Sequence, residues 1–198
     1  MKSFNLILAS QSPTRAGILQ KLNIPFKAVR TDSDESALAN EGAEALVARL
    51  AKLKAFAVSA DEETFVIGCD QVACLEGEIL GKPHTMERAI EQLSKFSGKT
   101  VRFYTGLCLR RGEEVRELVE TFDVVFRELS REEIVFYLEL EKPLECAGSI
   151  KCEGFAIHLF KALHGRDLNT LMGLPVMGLG ELFREYGVDL LFQTQSAV

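Results

Sequence analysis

In this chain of 198 residues, eight are hard to account for by packing and easy to account for by chemistry: Ser10, Ser12, Arg15, Lys54, Asp70, Lys82, Lys151 and Glu153. Asp70 is the least ordinary. It lies in residues 64–75, a run almost wholly apolar apart from Asp70 and Gln71. A carboxylate in such a strand carries a heavy desolvation cost unless it is paired, metal-bound or opened onto a cleft. Ser10-Gln11-Ser12-Pro13-Thr14-Arg15 places two hydroxyls and a guanidinium at the start of a helix. Unpaired backbone N–H groups and the helix dipole there favour an anion such as phosphate. Taken alone the loop has a plainer reading, in which Ser12 only caps the helix and Arg15 lies on its wet face.

Lys54 borders the apolar stripe Leu46, Leu50, Leu53 and Ala57, so its amine either reaches inward or snorkels to water. Lys82, between Gly81 and Pro83, sits in a loop that aims its amine, although an ordinary turn explains it almost as well. In residues 146–154 small side chains permit close backbone approach, and Lys151 and Glu153 point to the same side if the stretch is extended. Residues 31–36 are an acidic loop at a strand end, either simply solvated or, through Glu35, holding a hard cation. One polyphosphate site explains these isolated cations better than separate accidents do.

Elements must hold these groups. Residues 4–9 have no helical period and read as a buried strand. Pro13 suits the first helical position, with Ser12 as N-cap and Ile18, Leu19 and Leu22 as the stripe behind it. Residues 26–29 read as a second strand, residues 43–57 as an amphipathic helix, and residues 64–75 as a strand turned by Glu76-Gly77-Glu78. A helix carrying Met86, Ala89, Ile90, Leu93 and Phe96 closes at Gly98. Residues 100–110 and 115–127 are two long strands, the first alternating like a half-buried antiparallel ribbon. Ser130 to Glu133 is a capping box stapled by Leu129 and Ile134, and its helix ends before Pro143. Residues 155–160 read as a strand, 164–170 as a polar loop and 176–186 as the last helix.

The length suits one domain, residues 1–191, followed by a frayed tail, residues 192–198. A net charge of −6 argues against a nucleic-acid or anionic-membrane binder, so any phosphate site is local. Five cysteines without a C-x-x-C pair, and three histidines without H-E-x-x-H spacing, argue against a disulfide framework or structural zinc and point to a reducing cytoplasm. The apolar run after Lys2 is too short for a secretory h-region of about seven or more residues.

Four pieces in register, Ser10 to Arg15, Asp70-Gln71-Val72, Gly81-Lys82-Pro83 and Ala147-Gly148-Ser149 with Lys151-x-Glu153-Gly154, resemble the Maf-like nucleoside triphosphate pyrophosphatases. The resemblance covers nearly the whole chain to about Leu190. It implies an α/β fold of the inosine triphosphate pyrophosphatase (Maf/Ham1) type: a mixed twisted sheet flanked by helices, with a central cleft. It also implies a homodimer that uses Mg2+ or Mn2+ to hydrolyse the α–β phosphoanhydride of a nucleotide. By the same resemblance Asp70, Lys54 and Lys82 are catalytic, Ser10, Ser12, Arg15 and Lys151 bind phosphate, and Asp70 with Glu35 holds the metal. The subgroups differ at the positions of Thr14, Gln71 and Glu153; the last two look like the 7-methyl-GTP subgroup, whereas Thr14 departs from the family's arginine and from that subgroup's aromatic. A dTTP/UTP pyrophosphatase is the alternative within the family, and a nucleotide-binding regulator of cell division with little turnover is the alternative outside it. A carboxylate at Glu153 can accept from N1–H and the exocyclic amine of guanine, while uracil and thymine oxygens would face it repulsively.

Overall fold

The computed structural model describes residues 4–192. Phe192 closes a 3-10 turn, Leu190–Phe192, and the remainder of the expected frayed tail lies outside the described residues. Strand β1 (Leu6–Leu8) leads into helix α1 (Pro13–Lys21), where Ser12 Oγ accepts from the Arg15 N–H at 3.4 Å. Then come β2 (Lys27–Ala28), α2 (Ala43–Phe56), β3 (Phe65–Leu75), β4 (Glu78–Leu80) and α3 (Met86–Phe96). A long hairpin, β5 (Thr100–Arg111) and β6 (Glu114–Phe126), precedes α4 (Arg131–Glu141), which has the expected reciprocal capping box of Ser130 and Glu133. β7 (Phe160–His164), α5 (Leu168–Leu171) and α6 (Val176–Glu185) follow, ahead of the Leu190–Phe192 turn.

Among the described residues seven strands form one mixed sheet in the order β2-β1-β3-β5-β6-β7, with β4 paired to β3 outside that order. β1 is parallel to β2 and β3, and the other pairs are antiparallel. The pairing of β3 creates the site. β5 runs along one edge of β3 from Phe65 to Cys74, so β1 and β4 share the other; there β1 covers only Phe65 to Ile67 and β4 only Ala73 to Leu75. That edge is split from Gly68 to Val72, and Asp70 stands at its middle.

Side-chain alternation decides where each residue of the split faces. Asp70 is opposite Gly106 and Gln71 opposite Thr105. The Gly106 face lies under α2. On the Thr105 face, Val101 and Phe103 pack with α3 and α4, and Leu107 and Leu109 with α1 and α6, so Thr105 marks the seam between two apolar clusters.

Some sequence expectations change. β5 alternates only at its start; from Thr105 to Arg110 it is buried on both faces because α2 covers the second. α2 turns Ala51, Lys54 and Ala55 to the sheet and leaves Leu53 39% exposed, because the helix backbone lies directly on strand backbone and only small residues fit between. Residues 155–160 are not a strand: Phe155–Leu159 is a 3-10 turn, and pairing with β6 begins at Phe160, where the chain first reaches that edge. The supposed loop at 164–170 contains α5, capped by Asp167 Oδ1 accepting from Asn169 N–H at 2.9 Å.

Candidate active site

Lys54 reaches down from α2 and Asp70 up from the split, with Nζ to Oδ1 at 2.5 Å and each residue 7% exposed. Two missing side chains let the helix come this close. A Cβ on Gly68 would stand 2.7 Å from Ala55 N, and one on Gly106 would stand 2.5 Å from the Val47 carbonyl carbon. Buried Arg110 then ties the end of α2 to β5, donating to the carbonyls of Val58 at 2.8 Å and Ala55 at 3.2 Å. Lys54 therefore points inward, and snorkelling is excluded. Its Nζ also lies 2.9 Å from Glu35 Oε1. Arg49 anchors that acidic loop to α2 by donating to the Ser36 carbonyl at 3.0 Å while bridging both carboxylate oxygens of Glu41.

The first loop faces the same space. Ser10 Oγ accepts from the Ser12 N–H at 3.1 Å and from Arg15 Nη1 at 3.4 Å, and Ser12 Oγ caps α1. Both hydroxyls accept in these bonds, which leaves their protons to donate to a ligand. Arg15 plugs the open edge of β3, donating Nη1 to the Cys69 carbonyl at 3.0 Å and Nε to the Gly173 carbonyl at 2.7 Å. Burial pushes the Cys69 thiol up to about 11, so this cysteine is packing and not a nucleophile.

Across the cleft, Thr14 Oγ1 donates to Glu153 Oε1 at 3.0 Å, joining two residues 139 apart in sequence. The segment carrying Lys151 and Glu153 is not extended, so strand alternation does not pair them: the Gly154 N–H bonds the Lys151 carbonyl at 3.0 Å and folds it into a turn. Lys151 Nζ instead donates to the Glu141 carbonyl at 2.6 Å, at the end of α4. Lys82 is exposed on a loop whose Gly81 carbonyl accepts from Gln92 Nε2 at 3.1 Å. Every residue singled out in the sequence lines this one cleft, of about 930 Å³, a size that suits a nucleotide.

The Maf-like protein family model matches residues 5–186. The chain belongs to the Maf family. A 7-methyl-GTP pyrophosphatase of Pseudoalteromonas atlantica is 50% identical over 192 residues, covering 96% of this chain and 99% of the relative. A 7-methyl-GTP pyrophosphatase of Colwellia psychrerythraea is 49% identical over 189 residues, covering 94% of each. The solved Ham1 protein of Staphylococcus aureus shares the fold, with a TM-score of 0.52 at 14% identity over 93% of this chain and all of that one.

This Maf chain also places Arg30, His84 and Lys142 on the cleft rim, none of which its sequence singled out. Arg30 follows a strand much as Lys82 does, which was the available signal; Lys142 owes its place to a left-handed turn, φ 46°, ahead of Pro143. Among the described residues no group of three or more His, Cys, Asp or Glu is arranged to hold a metal. The donor set is two carboxylates, Asp70 and Glu35, converging on one ammonium. Magnesium keeps most of its waters and shares phosphate oxygens, so it asks no more of a protein than one or two carboxylates, and these residues fit it. No helix among the described residues is long and apolar enough to cross a membrane.

Proposed function

We propose that this Maf protein is a nucleoside triphosphate pyrophosphatase that takes 7-methyl-GTP or a close guanine analogue. The carrying observation is Asp70, buried against Lys54 at 2.5 Å yet opening on a cleft edged by single cations. Water attacks the α-phosphorus, the bond from that phosphorus to the α–β bridging oxygen breaks, Asp70 takes the proton from the water, and pyrophosphate leaves with the electron pair. Lys54 orients the Asp70 carboxylate and faces the reacting phosphate. Ser10, Ser12 and the N-terminus of α1 receive phosphate oxygens, while Lys82 and Lys151 supply charge from the far rim. Phosphoryl transfer is mostly positioning and charge stabilisation, which this residue set supplies.

Asp70 and Glu35 would hold a divalent cation, Mg2+ or Mn2+, which would supply Lewis-acid neutralisation of the phosphate charge. Arg15 acts from beneath: with Nε and Nη1 spent on protein carbonyls, it fixes the Ser10 hydroxyl and offers only its remaining nitrogen to phosphate. The names of the relatives support the guanine reading, and so does the acceptor pair of Glu153, steadied by Thr14. The same reading includes a cytoplasmic location and a homodimer, the latter to be tested by sedimentation.

Hydrolysis in 18O-labelled water tests the bond cleaved. The label enters the nucleoside monophosphate if attack is at the α-phosphorus; label in the pyrophosphate would overturn the proposal.

A further inference from the structure

Gln71 is held on a surface made only of acceptors. Its Nε2 lies 2.8 Å from the Thr170 carbonyl, 3.2 Å from the Leu171 carbonyl and 2.9 Å from Thr105 Oγ1. The Thr105 hydroxyl has its one proton committed to the Thr170 carbonyl at 3.0 Å, so toward Gln71 it can only accept. An amide turned the other way would press its oxygen against two carbonyl oxygens, a repulsion that the single Thr105 hydroxyl proton cannot relieve. The side chain therefore has one orientation, and its Oε1 is the polar atom left for the cleft that Gln71 lines.

The carbonyls that enforce this are themselves fixed. Thr170 is fully buried, and its Oγ1 donates to Glu120 Oε2 at 2.8 Å. The other oxygen of buried Glu120 is bonded by Arg166, which also grips Glu181 of α6 at 2.6 and 2.9 Å. Gly178 leaves room for this, since a Cβ there would stand 2.7 Å from Glu120 Oε1. The chain Glu120, Thr170, Thr105 thus runs from β6 through α5 to the base of the cleft.

We infer that Thr105, Thr170 and Glu120 are positioning residues that make Gln71 present an acceptor to the ligand, so that with Glu153 the cleft selects a nucleobase with adjacent donors. This rests on the nucleotide reading above and deepens it. Guanine, with N1–H beside an exocyclic amine, suits such an edge. Uracil, whose single N–H lies between two oxygens, does not. A site built on buried hydrogen-bonding groups discriminates strongly against a ligand that leaves them unpaired.

The first test needs no ligand. Gln71→Glu puts a carboxylate oxygen where only a donor is accepted, so its melting temperature should fall by about 4 °C or more below that of the parent at pH 8. A Gln71→Glu protein as stable as the parent at pH 8 would overturn the fixed orientation. The second test measures equilibrium binding of GTP, UTP and inorganic tripolyphosphate to Thr170→Val and Thr170→Ser. Valine should lower the GTP-to-UTP affinity ratio by about tenfold with tripolyphosphate binding unchanged, and serine, which keeps the hydroxyl, should restore it. An unchanged ratio, or an equal loss for all three ligands, would overturn the positioning role. Failure of the unmodified protein to bind tripolyphosphate would instead sink the nucleotide reading, leaving the Gln71→Glu melting result to stand or fall by itself.

Discussion

Gly68→Ala tests whether close approach of α2 to the sheet builds the catalytic pair. The added methyl would meet the backbone of Ala51 and Ala55, with its Cβ 2.7 Å from the Ala55 nitrogen and closer still to the Ala51 carbonyl oxygen, against the 3.4 Å at which ordinary contact begins, a shortfall of at least about 0.7 Å. Backbone cannot rotate away as a side chain can, so the helix must retreat by at least that distance. Lys54 immediately precedes Ala55, so the retreat lifts it from its 2.5 Å contact with Asp70 and strains the bonds by which Arg110 holds the same end of α2. Overpacking of this kind costs about 1–3 kcal/mol, and a misplacement on the order of 1 Å at a reacting centre lowers the rate by about a hundredfold. The assay is kcat for pyrophosphate release beside a thermal melt, with Gly17→Ala as control, since nothing lies within 4 Å of a Cβ at Gly17. Alanine is about 1 kcal/mol better than glycine inside a helix, so the control should melt slightly higher at full activity. A Gly68→Ala protein with parental kcat and melting temperature would show that the close approach of α2 does not set the pair.

Lys54→Met should lower stability by about 3–5 kcal/mol, because it strands a buried carboxylate. Adding Asp70→Asn to that variant should restore much of the melting temperature and none of the turnover, and recovery of turnover would count against both roles. Glu153→Gln should narrow the preference for guanine over uracil nucleotides in kcat/KM; an unchanged ratio would remove Glu153 from base reading. Burial raises the Cys69 and Cys108 thiols to about 11 and about 12, so the folded protein holds those protons longer than the unfolded chain does. Stability from keeping both neutral is complete below about pH 9 and is lost as pH rises toward 11–12, which a series of denaturant melts from pH 8 to 11 would show as a falling midpoint.

What the sequence disclosed was local. Asp70 stood out because a carboxylate in an apolar strand demands a reason, and the capping box and turn glycines followed from rules that span a few residues. Lys54 was ambiguous because its direction depends on Gly68 and Gly106, whose effect appears only when a helix lies on them. Lys151 and Glu153 were paired by strand alternation, which a turn at residues 152–154 cancels. The brace on Gln71 comes from a carbonyl 99 residues away, and nothing near Gln71 in the chain announces it. The split in the sheet was equally hidden, since it arises from where β1 stops and β4 begins on one edge of β3.

The most direct test of the account is pyrophosphate release from a panel of 7-methyl-GTP, GTP, dTTP, UTP, CTP and inosine triphosphate with magnesium or manganese, run on the parent and on Asp70→Asn. Metal-dependent release should favour the guanine nucleotides and be lost in Asp70→Asn while nucleotide binding persists. Turnover that survives Asp70→Asn, or binding of nucleotides with no turnover by the parent, would contradict it.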